Sequence, residues 1–599
     1  MRLFRLVSAL AFTGSACAIA SSSAGPPHVD ATAVTAIPAA GTAGAAPAEA
    51  VGDTLTVLQR PIQNIPSFVL PGWSLSLWCE APPATSDWSA ALVRGPREVP
   101  LELTSAFYDA GVLWWRLTAV VPAGTADGLY DLRMHAGGED DVSRHAVKVL
   151  SAYRTSYDFV QITDTHLPTH AYYYEPGSEA DSTEMADLSA VIEDVNLINA
   201  EFVLVTGDLV NEGELEEFLL RRYYSKAKRI LAEFEVPVFL TAGNHDLGGW
   251  SSTPPSDGTA RRDWWRFFGW KRLADPPPGA PSRTQDYSFD YGPVHFVALE
   301  AYINYDGWRS EIYGPRSFTP SQMAWLSADL AAASASATQV LFYHDDFDGE
   351  IGLASLGVEM ALWGHVHSDN GSLTQMPYNL STRPTCDGRR AYRVVHVDGG
   401  ALTPYATLDA GAGGEKLRTV FSPANDGTHM SVMAAVVNEH PVRFENALVR
   451  FLMPDVEGDI RVAGGRLVAA EETGGLLLCS VQVDLQPNGA QAVSVTIDST
   501  GGVPDPATAL RLEQNLPNPF SSPTLITFAL PSAGPVRLEI FTPSGRRVRT
   551  LVNENLEPGP HVTTWDGSDD RGRPLPSGAY FYRLRTRDGD RTRQLSLVR

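Results

Sequence analysis

The sequence predicts a multidomain chain in which a central α/β sandwich is flanked by Ig-like all-β sandwich domains. Apolar residues keep helical spacing, in alternation with short strand-like runs, only between about 153 and 409, whereas on both sides short alternating runs are separated by Pro and Gly turns. Five short blocks of Asp, Asn and His also fall inside the central span, each directly behind an apolar run. A length of 599 residues with 44% hydrophobic content leaves room for about three to five domains.

The first element is an export signal over 1–20. Met1 to Arg5 is basic, 6–12 is mostly apolar, and Ala18, Ile19 and Ala20 offer a small-x-small cleavage site. A lipoprotein alternative through Cys17 meets Gly14 where that motif prefers a branched apolar residue. Residues 21–54 are rich in Ala, Gly and Pro and cannot bury enough surface to order themselves, so they read as a flexible leader. Residues 55–152 carry strand-like runs at 67–70, 74–78, 113–117, 130–134 and 146–149, which suits an Ig-like β-sandwich. Its Trp cluster reads as packing between two sheets, with a carbohydrate platform as the other use. Removing the signal leaves Cys79, Cys386 and Cys479, an odd and scattered set that does not support a disulfide framework. Cys79 and Cys479 sit in apolar runs and are expected to be buried; Cys386 lies in a polar loop where exposure is expected.

In the central span, Met185, Leu188, Val191, Ile192, Val195 and Ile198 keep helical spacing before a strand at 202–205. Leu215, Phe218, Leu219, Ala227, Ile230, Leu231 and Phe234 do so before a strand at 238–240. The blocks are Asp164-Thr165-His166, Gly207-Asp208, Gly243-Asn244-His245-Asp246, His344 and Gly364-His365-Val366-His367. Carboxylate, imidazole and amide oxygen suit borderline or hard divalent ions, and the carboxyl ends of strands are where open α/β sheets bind ligands. The pattern predicts a two-metal site.

The ordered set resembles the calcineurin-like metallophosphoesterases. That resemblance implies that Asp164 and His166 hold the first metal, Asp208 bridges, Asn244, His344 and His365 complete the second metal, and His367 returns to the first. It implies His245 as the proton donor to the leaving alcohol, after attack on phosphorus by a hydroxide shared between the ions. Asp246 could orient His245, cap a helix or serve as a loop carboxylate. The family often has Pro two residues after the His of the fourth block, where this chain has Asp346 behind Asp345. Asn211 stands where the purple acid phosphatase branch carries a Tyr ligand, so an iron-phenolate site is not expected; Zn, Mn and Fe pairs stay open. The resemblance also implies a second sheet built from the runs at 294–299, 340–343, 360–363 and 393–397. Insertions at 169–182, with Tyr172, Tyr173 and Tyr174, and at 250–281, with Arg261, Arg262, Trp264 and Arg266, read either as pocket walls or as lids packed on their own aromatics.

After about 410 the helical periodicity ends, and residues 410–502 read as another β-sandwich. The span 503–599 carries Asn515-Leu516-Pro517-Asn518-Pro519, Trp565-Asp566-Gly567 and Tyr580-Phe581-Tyr582. It resembles the C-terminal Ig-like module of the flagellar hook-cap fold and of type IX secretion sorting domains. That implies contact with export machinery or display at the cell surface, with a plain structural tail as the alternative. A net charge of −24 disfavours non-specific nucleic-acid binding but not a small phosphorylated ligand, which metals would attract. Beyond the signal no stretch is long and apolar enough to span a bilayer. The expectation is an exported binuclear phosphoesterase, secreted, at the cell surface or periplasmic, acting on a phosphomonoester or phosphodiester. The competing class is a surface adhesion or scaffold protein with a catalytically silent phosphoesterase-like domain.

Overall fold

The computed structural model describes residues 57–110, 114–170, 183–213, 222–248, 264, 266–269, 285–301, 317–333, 337–411, 416–498, 510–515, 518–520 and 523–599. The export signal, the leader, Cys17, Leu215, Phe218, Leu219, Tyr172, Tyr173, Tyr174, Arg261 and Arg262 lie outside the described residues.

From 58 to 149 eight strands form one continuous hydrogen-bonded path. The long strand Arg97–Asp109 serves both halves of it: its start pairs with Ser89–Arg94, its remainder with Trp114–Val120, and the ladder is irregular between Leu103 and Ser105. Alternate side chains such as Leu77, Cys79, Leu117 and Leu132 meet in one buried cluster. Trp114 and Trp115 are buried, as packing requires.

The central span contains two sheets. The first is assembled from β1 (Ser156–Ile162), β2 (Val203–Thr206) and β3 (Val238–Thr241), all parallel in the order β3-β2-β1. The second runs in the order β4 (Tyr287–Tyr291), β5 (Val294–Ala298), β6 (Thr338–Phe342), β7 (Met360–Trp363) and β8 (Tyr378–Ser381), parallel except for the β4-β5 hairpin. The strand at 393–397, expected in the second sheet, is instead β9 (Ala391–Asp398) of the first, antiparallel to β1 and followed by the hairpin partner β10 (Ala401–Pro404). Its two faces explain the placement. Tyr392 and Val394 join the cluster beneath the helices, while Val395 and Val397 join the cluster between the sheets, so β9 completes both.

Between the sheets Phe159, Phe202 and Phe239 meet Phe289, Phe296 and Phe342, with Phe202 and Phe296 edge to face at 5.1 Å. Helices α1 (Thr183–Ile198) and α2 (Tyr223–Leu231) cover the outer face of the first sheet with Leu188, Val191, Val195, Ala227 and Ile230. Helix α3 (Asn244–Gly248) is one short turn. Helix α4 (Pro320–Ala332) covers the second sheet with Leu326 and Leu330, and it starts in a capping box between Thr319 and Gln322. Trp264, Phe267 and Phe268 of the second insertion are buried against Tyr224, so these aromatics pack rather than line a pocket.

Residues 417–498 form a four-stranded and a three-stranded sheet whose inner faces share the cluster that lies under α1. Asn199 Nδ2 donates to the Asn446 carbonyl at 3.1 Å. Tyr392 Oη donates to Asp194 Oδ2 at 2.9 Å and lies 3.2 Å from His440 Nε2, all three buried. At the C-terminal end, three- and four-stranded sheets enclose Trp565, Tyr580 and Tyr582, while Phe581 between them is only half-buried. Among the described residues no helix is long and apolar enough to cross a membrane.

Candidate metal centre

Each block sits just past a strand end: Asp164 after β1, Asp208 after β2, Asn244 after β3, His344 after β6, and His365 and His367 after β7. Neighbouring parallel strands end together, so the turns behind them converge on one edge of the sandwich. Backbone bonds lock the turns to one another. Asp164 N donates to Gly207 O at 3.1 Å, His166 N to Asp208 O at 3.0 Å and Gly364 N to His344 O at 2.8 Å.

The side chains form two adjoining groups around Asp208. His344 Nε2 lies 2.9 Å from Asp208 Oδ2, and Asp208, His344 and His365 offer ligand atoms within 4.8 Å of one another. On the other side His166 Nε2 is 3.9 Å from Asp208 Oδ2 and 3.2 Å from His367 Nε2, which is 3.5 Å from Asp164 Oδ1. Two imidazole nitrogens on one tetrahedral ion would stand about 3.3 Å apart, so the His166 and His367 rings fit a shared cation. The buried amide oxygen of Asn244 has no hydrogen-bond donor, as an oxygen set aside for a cation would lack one. The donor set therefore fits a pair of divalent ions, with Asp208 between them.

Backbone conformation points the same way. Asp164, His166, Asp208, His365 and His367 have φ of 51°, 45°, 50°, 64° and 53°. The left-handed region costs a non-glycine residue about 1 kcal/mol or more, and here it collects on five of the seven expected ligands.

Three motif glycines make the convergence possible. A Cβ on Gly243 would lie 2.2 Å from Asp208 Oδ1, one on Gly207 2.5 Å from His344 Nδ1, and one on Gly364 2.5 Å from Asp164 Oδ2. Each ligand thus occupies the space that a side chain in another block would need.

Protonation follows from this crowding. His344 Nδ1 is 2.8 Å from the Thr206 carbonyl oxygen, an acceptor only, so Nδ1 carries the hydrogen and Nε2 faces Asp208. Burial opposes charge on His344, but the Asp208 and Asp164 carboxylates outweigh it and raise its pKa to about 10 in the ion-free chain. Burial likewise opposes ionisation of Asp208, and the charges of His344 and then His245 outweigh it, holding the carboxyl well below its ordinary range. His166 is driven well below its usual value, chiefly by burial, and so presents a neutral ring.

His245 is held differently from the other histidines. Its backbone N donates to Asp208 Oδ1 at 2.9 Å, and its Nδ1 bonds the carbonyl oxygen of Asn211. Asp246 does not orient it: its carboxylate accepts Gly243 N at 2.8 Å, Val210 N at 2.9 Å and Leu209 N at 3.2 Å, clamping the second and third blocks together. Burial, then the Asp208 charge, push the Asp246 carboxyl up to about 8.

Residues 157–369 match the calcineurin-like phosphoesterase family. Residues 520–590 match the FlgD Ig-like domain. Among solved structures, a dimetal phosphatase from Danio rerio resembles the chain with a TM-score of 0.31 and 16% identity, over 43% of this chain and 98% of its own. A sulfate thiohydrolase, SoxB, from Thermus thermophilus has a TM-score of 0.29 and 18% identity, over 43% of this chain and 57% of its own. A Vps29 mutant from Entamoeba histolytica has a TM-score of 0.19 and 11% identity, over 47% of this chain and 92% of its own. No curated protein matches the chain in sequence.

Residues that the motif blocks did not indicate also border the cage. The His170 ring stacks on His166 at 4.4 Å, and its Nδ1 is 3.0 Å from Asp387 Oδ1. Cys386, expected to be exposed, is fully buried, because Thr385 N and Cys386 N donate to the carbonyls of Thr163 and Asp164 and draw the loop onto the first block. Asp345 Oδ2 lies 3.8 Å from His365 Nε2, beside that ring.

Proposed function

We propose that the chain is an exported binuclear metallohydrolase of phosphomonoesters or phosphodiesters. The observation that carries this reading is that the seven expected ligands, Asp208 among them, stand just past five strand ends, and that five of the seven have positive φ. The first ion would be held by Asp164, His166, Asp208 and His367, and the second by Asp208, Asn244, His344 and His365. The ions, drawn from zinc, manganese or iron, supply the attacking oxygen and offset the phosphoryl charge. Asp208 keeps both positions in register through its two oxygens, each already met by a group of the cage. His344 is fixed in one tautomer by the Thr206 carbonyl, so its Nε2 is presented to the site without rearrangement. His245, turned by the Asn211 carbonyl so that Nδ1 is engaged, gives its other ring nitrogen to the leaving oxygen as general acid. Export rests on the sequence over 1–20 and on the FlgD-like module, whose role is surface display or contact with export machinery.

The test is metal analysis of the purified full chain together with hydrolysis of a broad phosphoester panel including p-nitrophenyl esters. Two ions per chain with turnover, both abolished in Asp208→Ala, is the expected result. Two ions without hydrolysis of any ester would overturn the proposal in favour of a silent domain on a surface scaffold.

A further inference from the structure

Cys386 brings a thiol to the first metal position. Its Sγ and ligand nitrogens of His166 and His367 lie within 4.8 Å of one another. Zinc with tetrahedral sulfur and nitrogen ligands sets those atoms about 3.6 Å apart, so each pair would close by at most about 1.2 Å to share an ion.

The loop that carries the thiol is held from two sides. Thr385 N donates to Thr163 O at 3.0 Å and Cys386 N to Asp164 O at 3.2 Å, which ties Cys386 to the turn bearing Asp164 and His166. Behind it stand two buried acids of α1. Glu184 Oε2 accepts Asp387 N at 3.0 Å, while Asp187 accepts Gly388 N at 2.6 Å and pairs with Arg390 Nε at 2.7 Å. Two buried carboxylates are thus committed to pressing one loop against the cage.

The surroundings of this cysteine differ from those of the other two. Cys79 and Cys479 sit inside apolar β clusters, as cysteines acting as small hydrophobes do. Cys386 is bordered by imidazoles and a carboxylate, and His166 of the same group, a residue 1% exposed, has a ring nitrogen, Nδ1, with no hydrogen-bond partner. Burial and the charges of Asp387, Asp164 and Glu184 hold the thiol protonated until a cation offsets them.

We propose that Cys386 is a ligand of the first metal position beside Asp164, His166, Asp208 and His367, and that its sulfur biases that position towards zinc, cobalt(II) or iron(II) over manganese and magnesium. The inference rests on the two-metal reading and deepens it. On binding, the S–H bond breaks, a sulfur–metal bond forms, and the proton leaves by way of Asp387, whose Oδ2 is 3.6 Å from Sγ.

The experiment is cobalt(II) substitution of the full chain. Wild type should take up two ions per chain and show a near-ultraviolet sulfur-to-cobalt charge-transfer band. Cys386→Ser should lose that band yet keep its d–d absorption at saturating cobalt, and Cys479→Ser should keep the band. Zinc affinity at one of two positions should fall at least about tenfold in Cys386→Ser, since even outer-shell losses cost that much. Should Cys386→Ser fail to fold, X-ray absorption of zinc-loaded wild type decides alone, with one sulfur scatterer per two zinc ions expected. Two bound ions without the band or the scatterer overturn the sulfur ligand and leave the metallohydrolase reading standing. A wild-type chain that takes up no metal sinks both.

Discussion

Gly243→Ala tests the packing around the shared carboxylate. The new Cβ would stand 2.2 Å from Asp208 Oδ1, 2.5 Å from Asp208 N and 2.9 Å from Asp208 Cγ, where ordinary contact begins near 3.4 Å. The carboxylate or the turn behind it must therefore yield by about 1 Å. Rotation alone does not relieve the clash, because the Asp208 backbone is within reach too, and because Oδ1 is already engaged by His245 N at 2.9 Å. A displacement of about 1 Å at the shared carboxylate is expected to cost about 100-fold in kcat, while overpacking of this kind costs about 1–3 kcal/mol of stability, which a domain of this size survives. The assay is metal content per chain by mass spectrometry, with p-nitrophenyl ester turnover and far-ultraviolet circular dichroism. The expected outcome is a native spectrum, fewer than two ions and the rate loss. Gly124→Ala, where a Cβ meets nothing within 4 Å, is the control and should change none of these. If Gly243→Ala holds two ions and turns over at the wild-type rate, the reasoning that this glycine exists to admit Asp208 is refuted.

His245→Gln should lower kcat by about 10²–10⁴-fold while leaving metal content at two per chain; loss of an ion would make His245 a ligand instead of an acid. His295 gives a pH-dependent stability prediction away from the site. Its ring lies 2.7 Å from Asp290 Oδ1 and 3.0 Å from Asp329 Oδ2; burial opposes its charge, but these two carboxylates raise its pKa to about 9. The folded value exceeds the ordinary 6.5, so this contribution is fully present below about pH 6.5 and is lost as pH rises through about 9. The upper bound is about 3 kcal/mol, which solvent screening of Asp290, 74% exposed, reduces to about 1–2 kcal/mol. Urea unfolding should show His295→Gln destabilised near pH 6 and level with wild type near pH 10; a gap that persists unchanged at the higher pH would contradict the charge assignment.

The features that were legible in the sequence are those written in short stretches of chain. A carboxylate or imidazole directly behind an apolar run is a local pattern, and Asp164, Asp208, His344 and His365 could be placed at strand ends before any sheet was known. The helix over Thr183–Ile198 was legible for the same reason. Tertiary pairing was not. The run at 393–397 carries no mark of which sheet it joins, because both of its faces are apolar and partner choice depends on strands far away in the chain. Cys386 was misjudged because polarity of neighbouring residues signals exposure only where no backbone donor is claimed elsewhere, and here Thr163 and Asp164 claim two. The His170–Asp387 pair spans 217 positions, a distance at which a single sequence holds no signal. Asp246 was left between three roles; it lies in α3, and the bond from Gly243 N makes it a cap of that short helix, while those from Leu209 and Val210 tie it to the second block.

The shared cluster under α1 bears on how the molecule can be dissected. Tyr392 of β9 and Asp194 of α1 meet His440 and the Phe444–Pro454 strand of the β region that follows in one buried contact. A fragment cut near 409 would bare the apolar side of α1 and hydrate Asp194, inviting aggregation that an activity assay would misread as lack of catalysis. A boundary after 498 keeps that seam closed, so the smallest soluble fragment that carries the candidate metal centre should include both sheets of the middle β region.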